Sequence, residues 1–579
     1  MKRINKIIKT IFSGAIVFSV TIMSCSKDFL EKPLSNNVTI DTIFSAKIKA
    51  ETFLWQTYNT CMPLGFPVGW DNNKCFASSM MMAACDEGDT YDSWPSSNMH
   101  NNGTWGSSGT GEDNFGLYYA GIRAANIYLE NVGRVSDMPD ADKKQETAEA
   151  RVLRAIQYAE LLKRYGGVPL VTKSLNSTDD VKLPRNTYEA CVKFIVKECD
   201  EAAVYLPDSY PKQFSGRITK GAALAMKSRV LLYAASPLAN SSLPYITDKR
   251  ELTGYISYSA DRWQKAADAA KAVLDWATSA GVKLENSKAT PGDNYESTFA
   301  DLNCPETILA NQSNGWWGAW WPLFQQFTMP RGVYGGWYGQ GVTYQQAARY
   351  YTKDGKEQVW NNSGSEAEFM QKMQEMEPRF QRSVFYSGGI WNDELGVLKI
   401  FKKKGGSWSP QAPVNGVGFM KKFLTRLNWN GGQINWIVFR LGEFYLNYAE
   451  ALNEVSSMDP KCYDAINALH ERAGIPDISS ADNRYNTQEK LRETIRRERA
   501  IELAFEGHRF FDVRRWQIAG NDGVMKGQMW GLNLYEQQDG SVIYKKEPFE
   551  TRVWDNKMYY YPFPQVEIDK AYIVQNPGW

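Results

Sequence analysis

Apolar residues recur at helical spacing along this chain, in windows that come as neighbouring pairs. Tyr188, Cys191, Val192, Ile195, Cys199 and Ala202 fall at i, i+3, i+4, i+7, i+11 and i+14, which is one face of a 3.6-residue helix. Trp263, Ala266, Ala267, Ala270, Leu274 and Ala277 mark a second face, and Leu441, Phe444, Tyr445, Tyr448 and Leu452 a third. The pattern predicts helices over about 41–60, 115–132, 146–165, 187–206, 219–235, 261–280, 440–455, 461–473 and 488–508. Gly166-Gly167-Val168-Pro169 and Gly474-Ile475-Pro476 read as helix stops.

Three of these pairs read as helix hairpins: 146–165 with 187–206, 219–235 with 261–280, and 440–455 with 461–473. Within them small residues (Ala449, Ala451, Ala465, Ala473) alternate with large ones (Tyr445, Tyr448, Leu469). That is the texture of tetratricopeptide-like hairpins, where small residues let neighbouring helices approach, although no strict 34-residue period can be read. The expected fold is therefore mainly α. TPR-like hairpins form a frame, and long irregular insertions over about 62–114 and 282–435 carry a few short strands. In those insertions Gly, Asn, Ser and aromatic residues dominate, and long loops in a compact protein usually serve function. No Pro- or Ser-rich linker separates them from the frame, so residues 25–579 are expected to form one unit.

Composition excludes several classes. Hydrophobic residues are 43% and charged residues 23%, which describes a globular chain. Lys+Arg is 66 against Asp+Glu 65, so there is no basic surplus for nucleic acid. His100, His470 and His508 are the only histidines, with no His-x-Glu and no His-Glu-x-x-His. Zinc chemistry built on histidine clusters is disfavoured, and no metal or cofactor is expected.

The N-terminus reads as an export signal. Lys2, Arg3, Lys6 and Lys9 precede the apolar run Ile11 to Ile22, which is short for a span but suits a signal h-region. Ile22-Met23-Ser24-Cys25 then resembles a lipobox, cut before Cys25, which would carry the lipids; residues 1–24 are the signal. The competing reading is a conventional signal peptide with a coincidental Cys. Acyl chains contribute about 0.8 kcal/mol per buried CH₂, enough for stable anchoring when more than one is attached. Losing residues 1–24 removes four basic residues and no acidic one, leaving the mature chain slightly acidic. Seven other cysteines remain, an odd number. Cys191 and Cys199 share a helix face and read as buried thiols, while export permits a disulfide among Cys61, Cys75 and Cys85.

Ordered motifs along the chain carry a family resemblance. After Cys25 comes Ser-Lys-Asp-Phe-Leu-Glu-Lys-Pro, followed by the acidic pair Asp86-Glu87 and the stretch Tyr118 to Asn126 (YYAGIRAAN). Glu149-Ala150-Arg151 leads into Arg164-Tyr165-Gly166-Gly167-Val168-Pro169-Leu170. Tyr233 to Leu238 (YAASPL), Glu443 to Glu454 (EFYLNYAEALNE) and Glu498 to Trp516 (ERAIELAFEGHRFFDVRRW) follow. Tyr561-Pro562-Phe563-Pro564 and Gln575-Asn576-Pro577-Gly578 close the set. Together these resemble the SusD-like (RagB/SusD) outer-membrane lipoproteins of Bacteroidetes. The resemblance implies a lipid-anchored protein on the outer face of the outer membrane. It implies a lid over a SusC-like TonB-dependent transporter, capturing oligosaccharides or other nutrients, with no enzymatic activity. It also implies a ligand site drawn from loops after the first acidic pair and from the mid-chain insertion.

Charged motifs admit two readings. Glu498, Glu502, Glu506 and Asp512 sit among Arg497, Arg499, Arg509, Arg514 and Arg515. Paired carboxylates can hydrolyse glycosides, which keeps a lipidated glycoside hydrolase as the alternative function. Both signs at helical spacing more simply form a partly buried ion network over Phe505, Phe510 and Phe511. Asp86-Glu87 beside Gly88-Asp89 reads as a loop cap rather than a Ca²⁺ site, since the spacing fits no EF-hand.

Tryptophans beside Gly and Asn carry the functional signal. A sugar's C–H face is apolar and slightly positive and stacks on an indole, while amides and carboxylates take the hydroxyls. The candidate ligand residues are Trp94, Asn98, Trp105, Trp316, Trp317, Trp320, Trp321 and Trp337, with packing or the transporter interface as competing roles. Loops 86–105 and 311–338 are expected to share one exposed aromatic face. Trp55, Trp263 and Trp276 lie in helix patterns and read as core; Trp516 and Trp554 read as structural. The same capture role with peptide or glycoprotein cargo stays open.

Overall fold

In a computed structural model the described residues are 39–67, 76–112, 114–176, 178–312, 327–333, 335–337, 339–424 and 434–579. The anchor call at Cys25, the thiol of Cys75 and the Trp316–Trp321 cluster lie outside them.

The frame is a row of helices packed side by side. Phe115–Asn131 lies on Asp140–Tyr165, which lies on Tyr188–Ala203, followed by Lys220–Ala235, Asp261–Ala280, Leu441–Val455 and Pro460–Ala473. The three expected hairpins are all present. Threonines start two of these helices, with Thr187 Oγ1 accepting from Ala190 N–H and Thr219 Oγ1 from Ala222 N–H. Such caps contribute about 1 kcal/mol each. Gly166, Gly281 and Gly474 end helices at positive φ.

Small residues set the spacing of the row. Gly221 abuts the Trp276 ring so closely that a Cβ there would sit 2.0 Å from it. Where the second and third hairpins meet, Leu232, Ala235, Trp263, Ala266, Ala267 and Ala451 form their own buried cluster. Burying a large apolar side chain of this kind stabilises by roughly 1.5–3 kcal/mol. The main hydrophobic cluster extends from Phe44 to Ile573.

Several sequence expectations are corrected. The helix expected from 146 starts at Asp140, because its first turns are polar and carry no apolar stripe; Asp140 and Asp142 suit the helix dipole instead. The expected 488–508 helix stops at Glu502 and resumes as Arg509–Arg515, broken by positive φ at Phe505 and Gly507. Trp55 is 37% exposed, not core. Its helix, Lys47–Cys61, buries the stripe Ala50, Leu54, Thr57, Tyr58 and Cys61, and Trp55 lies off that stripe. Cys61 and Cys85 are both buried, and Cys85 is a free thiol.

The strands are not confined to the loop-rich segments. The longest pair, Gly527–Glu536 and Val542–Arg552, forms an antiparallel hairpin near the C-terminus. It centres a five-stranded sheet with Ser363–Ser365, Phe401–Lys402 and Trp408–Ser409. Asp539-Gly540 between two strand-like runs was the local signal for it. A second sheet, of four strands, orders Gly88–Thr90, Gln340–Val342, Gly418–Met420 and Val384–Tyr386. It is the element that lays the two loop-rich insertions against each other.

Candidate functional site

The register of that sheet brings distant loops together: Gly88 faces Val342, Asp89 faces Gly341 and Thr90 faces Gln340, all antiparallel. A Cβ at Gly341 would sit 2.4 Å from the Asn415 carbonyl oxygen, so glycine is what lets a third loop close over the pair. Asn415 Nδ2 in turn donates to Asp89 Oδ2 at 2.9 Å and to the Thr90 carbonyl at 3.2 Å.

Below the strand, the acidic pair is sealed rather than capping a loop. Asp86 is fully buried and accepts from Arg509 at 2.9 and 2.8 Å and from Arg349. Burial alone would raise its carboxyl; the two guanidinium groups outweigh that and hold it at about 2. Glu87 accepts the Phe505 N–H at 2.9 Å, and burial dominates there, pushing its carboxyl up to about 7. The pair ties the site strand to the turn at Phe505 inside the Glu498–Trp516 motif.

Above the strand, the chain turns through Tyr91–Pro95. Asn98 clamps this turn: its Nδ2 donates to Thr90 Oγ1 at 3.2 Å and to the carbonyls of Asp92 and Pro95 at 3.1 and 3.3 Å. The amide hydrogens of Asn98 are thus engaged by the protein. With the turn fixed, Tyr91 and Trp94 stand 44% and 43% exposed. Asp92 reaches across to Arg331, Oδ1 to Nη1 3.3 Å. Arg331 opens a tight loop with Gly332 and Gly335 at positive φ, closed by Gly332 N–H on the Gly336 carbonyl at 3.1 Å. Trp337 ends the loop half-buried, its ring edge-on to Phe327 at 5.7 Å.

Trp105 does not belong to this surface. Gly103, at φ 72°, turns the chain inward after the short helix Asn98–Asn102. Trp105 is then 3% exposed, stacked on His100 at 4.2 Å and packed on Tyr561 and Trp579. Trp263, Trp276 and Trp516 are buried, and Trp516 Nε1 donates to Glu450 at 2.7 Å. Tyr91, Asp92 and Arg331 are surface members that sequence reasoning missed. Tyr91 had a signal, since it shares the run Asp89-Thr90-Tyr91-Asp92-Ser93-Trp94 with the tryptophan. Arg331 had none, because only the strand register delivers it to Asp92.

The Glu498–Trp516 carboxylates form a sealed network elsewhere. Glu502 accepts from Arg440 at 2.7 Å, from Arg379 at 3.1 Å and from Arg472. Glu498 pairs with Arg379 and His470, Glu506 with Lys422 and Arg440 at 2.7 Å each, and Asp512 with Arg499 and Arg515. All four carboxylates are buried and already bonded to cations, with no geometry for reaching a glycosidic bond.

Comparison with known proteins follows the same outline. The model described as "SusD family" matches residues 288–579, and one described as "Starch-binding associating with outer membrane" matches residues 28–232. A SusD-like protein of Bacteroides ovatus is 23% identical over 606 residues, covering 98% of this chain and 96% of its own. The crystal structure of a SusD-like protein from Bacteroides fragilis superposes with a TM-score of 0.77 at 24% identity, covering 95% of this chain and all of that one. Another from the same species, described as a SusD-like carbohydrate binding protein, has a TM-score of 0.72 at 21% identity, covering 92% and 99%.

Proposed function

The chain belongs to the SusD family, and on that premise we propose that it captures complex carbohydrate at the cell surface. Captured glycan passes to a SusC-like TonB-dependent transporter, and a lipid anchor at Cys25 holds the protein on the outer membrane. The observation that carries this reading is the exposed Tyr91–Trp94 turn, joined through Asp92 and Arg331 to the Trp337 loop. Rings offer stacking surfaces, and the carboxylate and guanidinium beside them offer acceptor and donor to sugar hydroxyls. A stacked sugar gains on the order of 1 kcal/mol beyond area burial. A few such contacts give micromolar to millimolar affinity, which suits capture followed by release.

The family description over residues 28–232 supports the outer-membrane setting. No helix among the described residues is long and apolar enough to cross a membrane. A solved relative described as carbohydrate binding shares the fold. Against the hydrolase alternative stands the sealing of Glu498, Glu502 and Glu506 among cations.

The test is calorimetry of the mature protein against a panel of polysaccharides, with peptides and glycoproteins as a second arm. Binding to a glycan that is recovered intact after long incubation is the expected result. Shortened products would favour hydrolysis, and binding only to peptides would change the cargo.

A further inference from the structure

A second opening lies where the helix Lys47–Cys61 meets the loop before Lys220–Ala235, and it shares no residue with the Tyr91–Trp337 surface. Its volume is about 500 Å³, within the range of pockets that hold small ligands. Trp55 and Phe214, 37% and 45% exposed, are its exposed aromatic members, with Tyr58 buried behind them.

Both rings are organised around Arg217. Its guanidinium carbon lies 4.9 Å from the Trp55 ring centroid and 5.8 Å from that of Phe214, with Tyr210 at 4.7 Å behind. Arg217 is fixed in turn by Glu149, which is fully buried and also accepts from Tyr58 at 2.5 Å and Tyr210 at 3.1 Å. Gly216, at φ 93°, makes the turn that presents Phe214 and Arg217 to one opening. Asn59, Gln213 and Gln312 line the same opening.

Two large rings stay half in water, held in place by Arg217 and its ion pair with Glu149. Because Glu149 neutralises Arg217, the pocket offers no net charge to an anion. What it offers is aromatic faces bordered by groups that both donate and accept, the complement of a neutral sugar ring. We propose that this pocket is a second carbohydrate subsite, taking a neutral stretch of the same glycan. The proposal rests on the capture reading above, and two grips on one chain would raise avidity without new contacts.

The test uses the mature protein and short neutral glucan and mannan oligosaccharides, titrated calorimetrically. Wild type is expected to bind two oligosaccharides per chain. Trp55→Ala and, independently, Phe214→Ser should each remove one binding class or weaken it about tenfold, with the melting temperature nearly unchanged. Trp94→Ala should remove the other class. Phe214→Ser lies on an exposed loop and serves if Trp55→Ala fails to fold. A single class that is insensitive to both Trp55 and Phe214 but lost in Trp94→Ala overturns the second subsite while leaving capture standing. Variants that bind glycan like wild type but no longer co-purify with a barrel transporter overturn it in favour of a protein interface. Absence of binding to any glycan removes both readings.

Discussion

Asp92 and Arg331 stand 239 residues apart in the chain, yet their charged groups meet at 3.3 Å on the surface beside Trp94. The contact exists because Gly88–Thr90 and Gln340–Val342 pair in one register, and a slip of one residue would turn every side chain of the strand to the other face. The surface is therefore a product of sheet pairing between two insertions, not of either loop alone.

The spacing of the helical row gives a first prediction. Gly221→Leu forces atoms into the Trp276 ring, where even a Cβ would approach to 2.0 Å. Overpacking of this kind costs about 1–3 kcal/mol. Thermal unfolding should report a loss of that size, and an unchanged melting temperature would mean that the second hairpin is looser than described.

Glu502→Gln separates structure from catalysis. It leaves Arg379, Arg440 and Arg472 buried around an uncharged amide. Removing one partner of a buried network costs about 3–5 kcal/mol. Denaturant unfolding should show that loss, with glycan binding intact in whatever fraction remains folded. Full stability with abolished turnover of a glycan would instead point to hydrolysis.

Acid should destabilise the fold. At Glu498 burial raises the carboxyl, but Arg379 and His470 outweigh it and hold it at about 2; at Glu506, Arg440 and Lys422 do the same. Both ionise near 4.5 when unfolded. Their stabilisation is complete above about pH 4.5 and lost as pH falls toward 2. Glu87 acts in the opposite sense. Burial raises it to about 7, so its contribution is present below about 4.5 and lost as pH rises through 7. Melting curves from pH 3 to 8 should fall steeply on the acid side, and Glu87→Gln should flatten the shallower decline on the alkaline side. A Glu87→Gln profile identical to wild type would contradict this assignment.

Cys25→Ala tests the anchor. The variant should remain unprocessed and take up no palmitate, and its mature form should be missing from the outer membrane. Palmitate labelling of the variant would place the lipid elsewhere.

Much of the frame was legible because its helices bury periodic stripes, as in Tyr188 to Ala202, and three of them stop at a glycine, as at Gly474. Polar first turns hid the start at Asp140, and a positive φ at Phe505 split a helix that its periodicity made continuous. The C-terminal hairpin was missed although Asp539-Gly540 marked its turn. At the site, composition pointed to Trp94 but equally to Trp105, which local sequence could not separate. Gly103, the stack on His100 and the arrival of Tyr561 and Trp579 decide that Trp105 is core. Arg331 and the pocket at Trp55 depend on contacts between distant segments, which no window of sequence contains.

The central claim is that the Tyr91–Trp94 turn holds glycan, and one comparison tests it most directly. Wild type and Trp94→Ala are titrated calorimetrically with the polysaccharide that wild type binds best, alongside their melting curves. Trp94 is 43% exposed, so its loss should shift the melting temperature little. Affinity should fall about tenfold or more, equivalent to roughly 1.4 kcal/mol. Equal affinity in the two proteins, with both fully folded, would contradict the account.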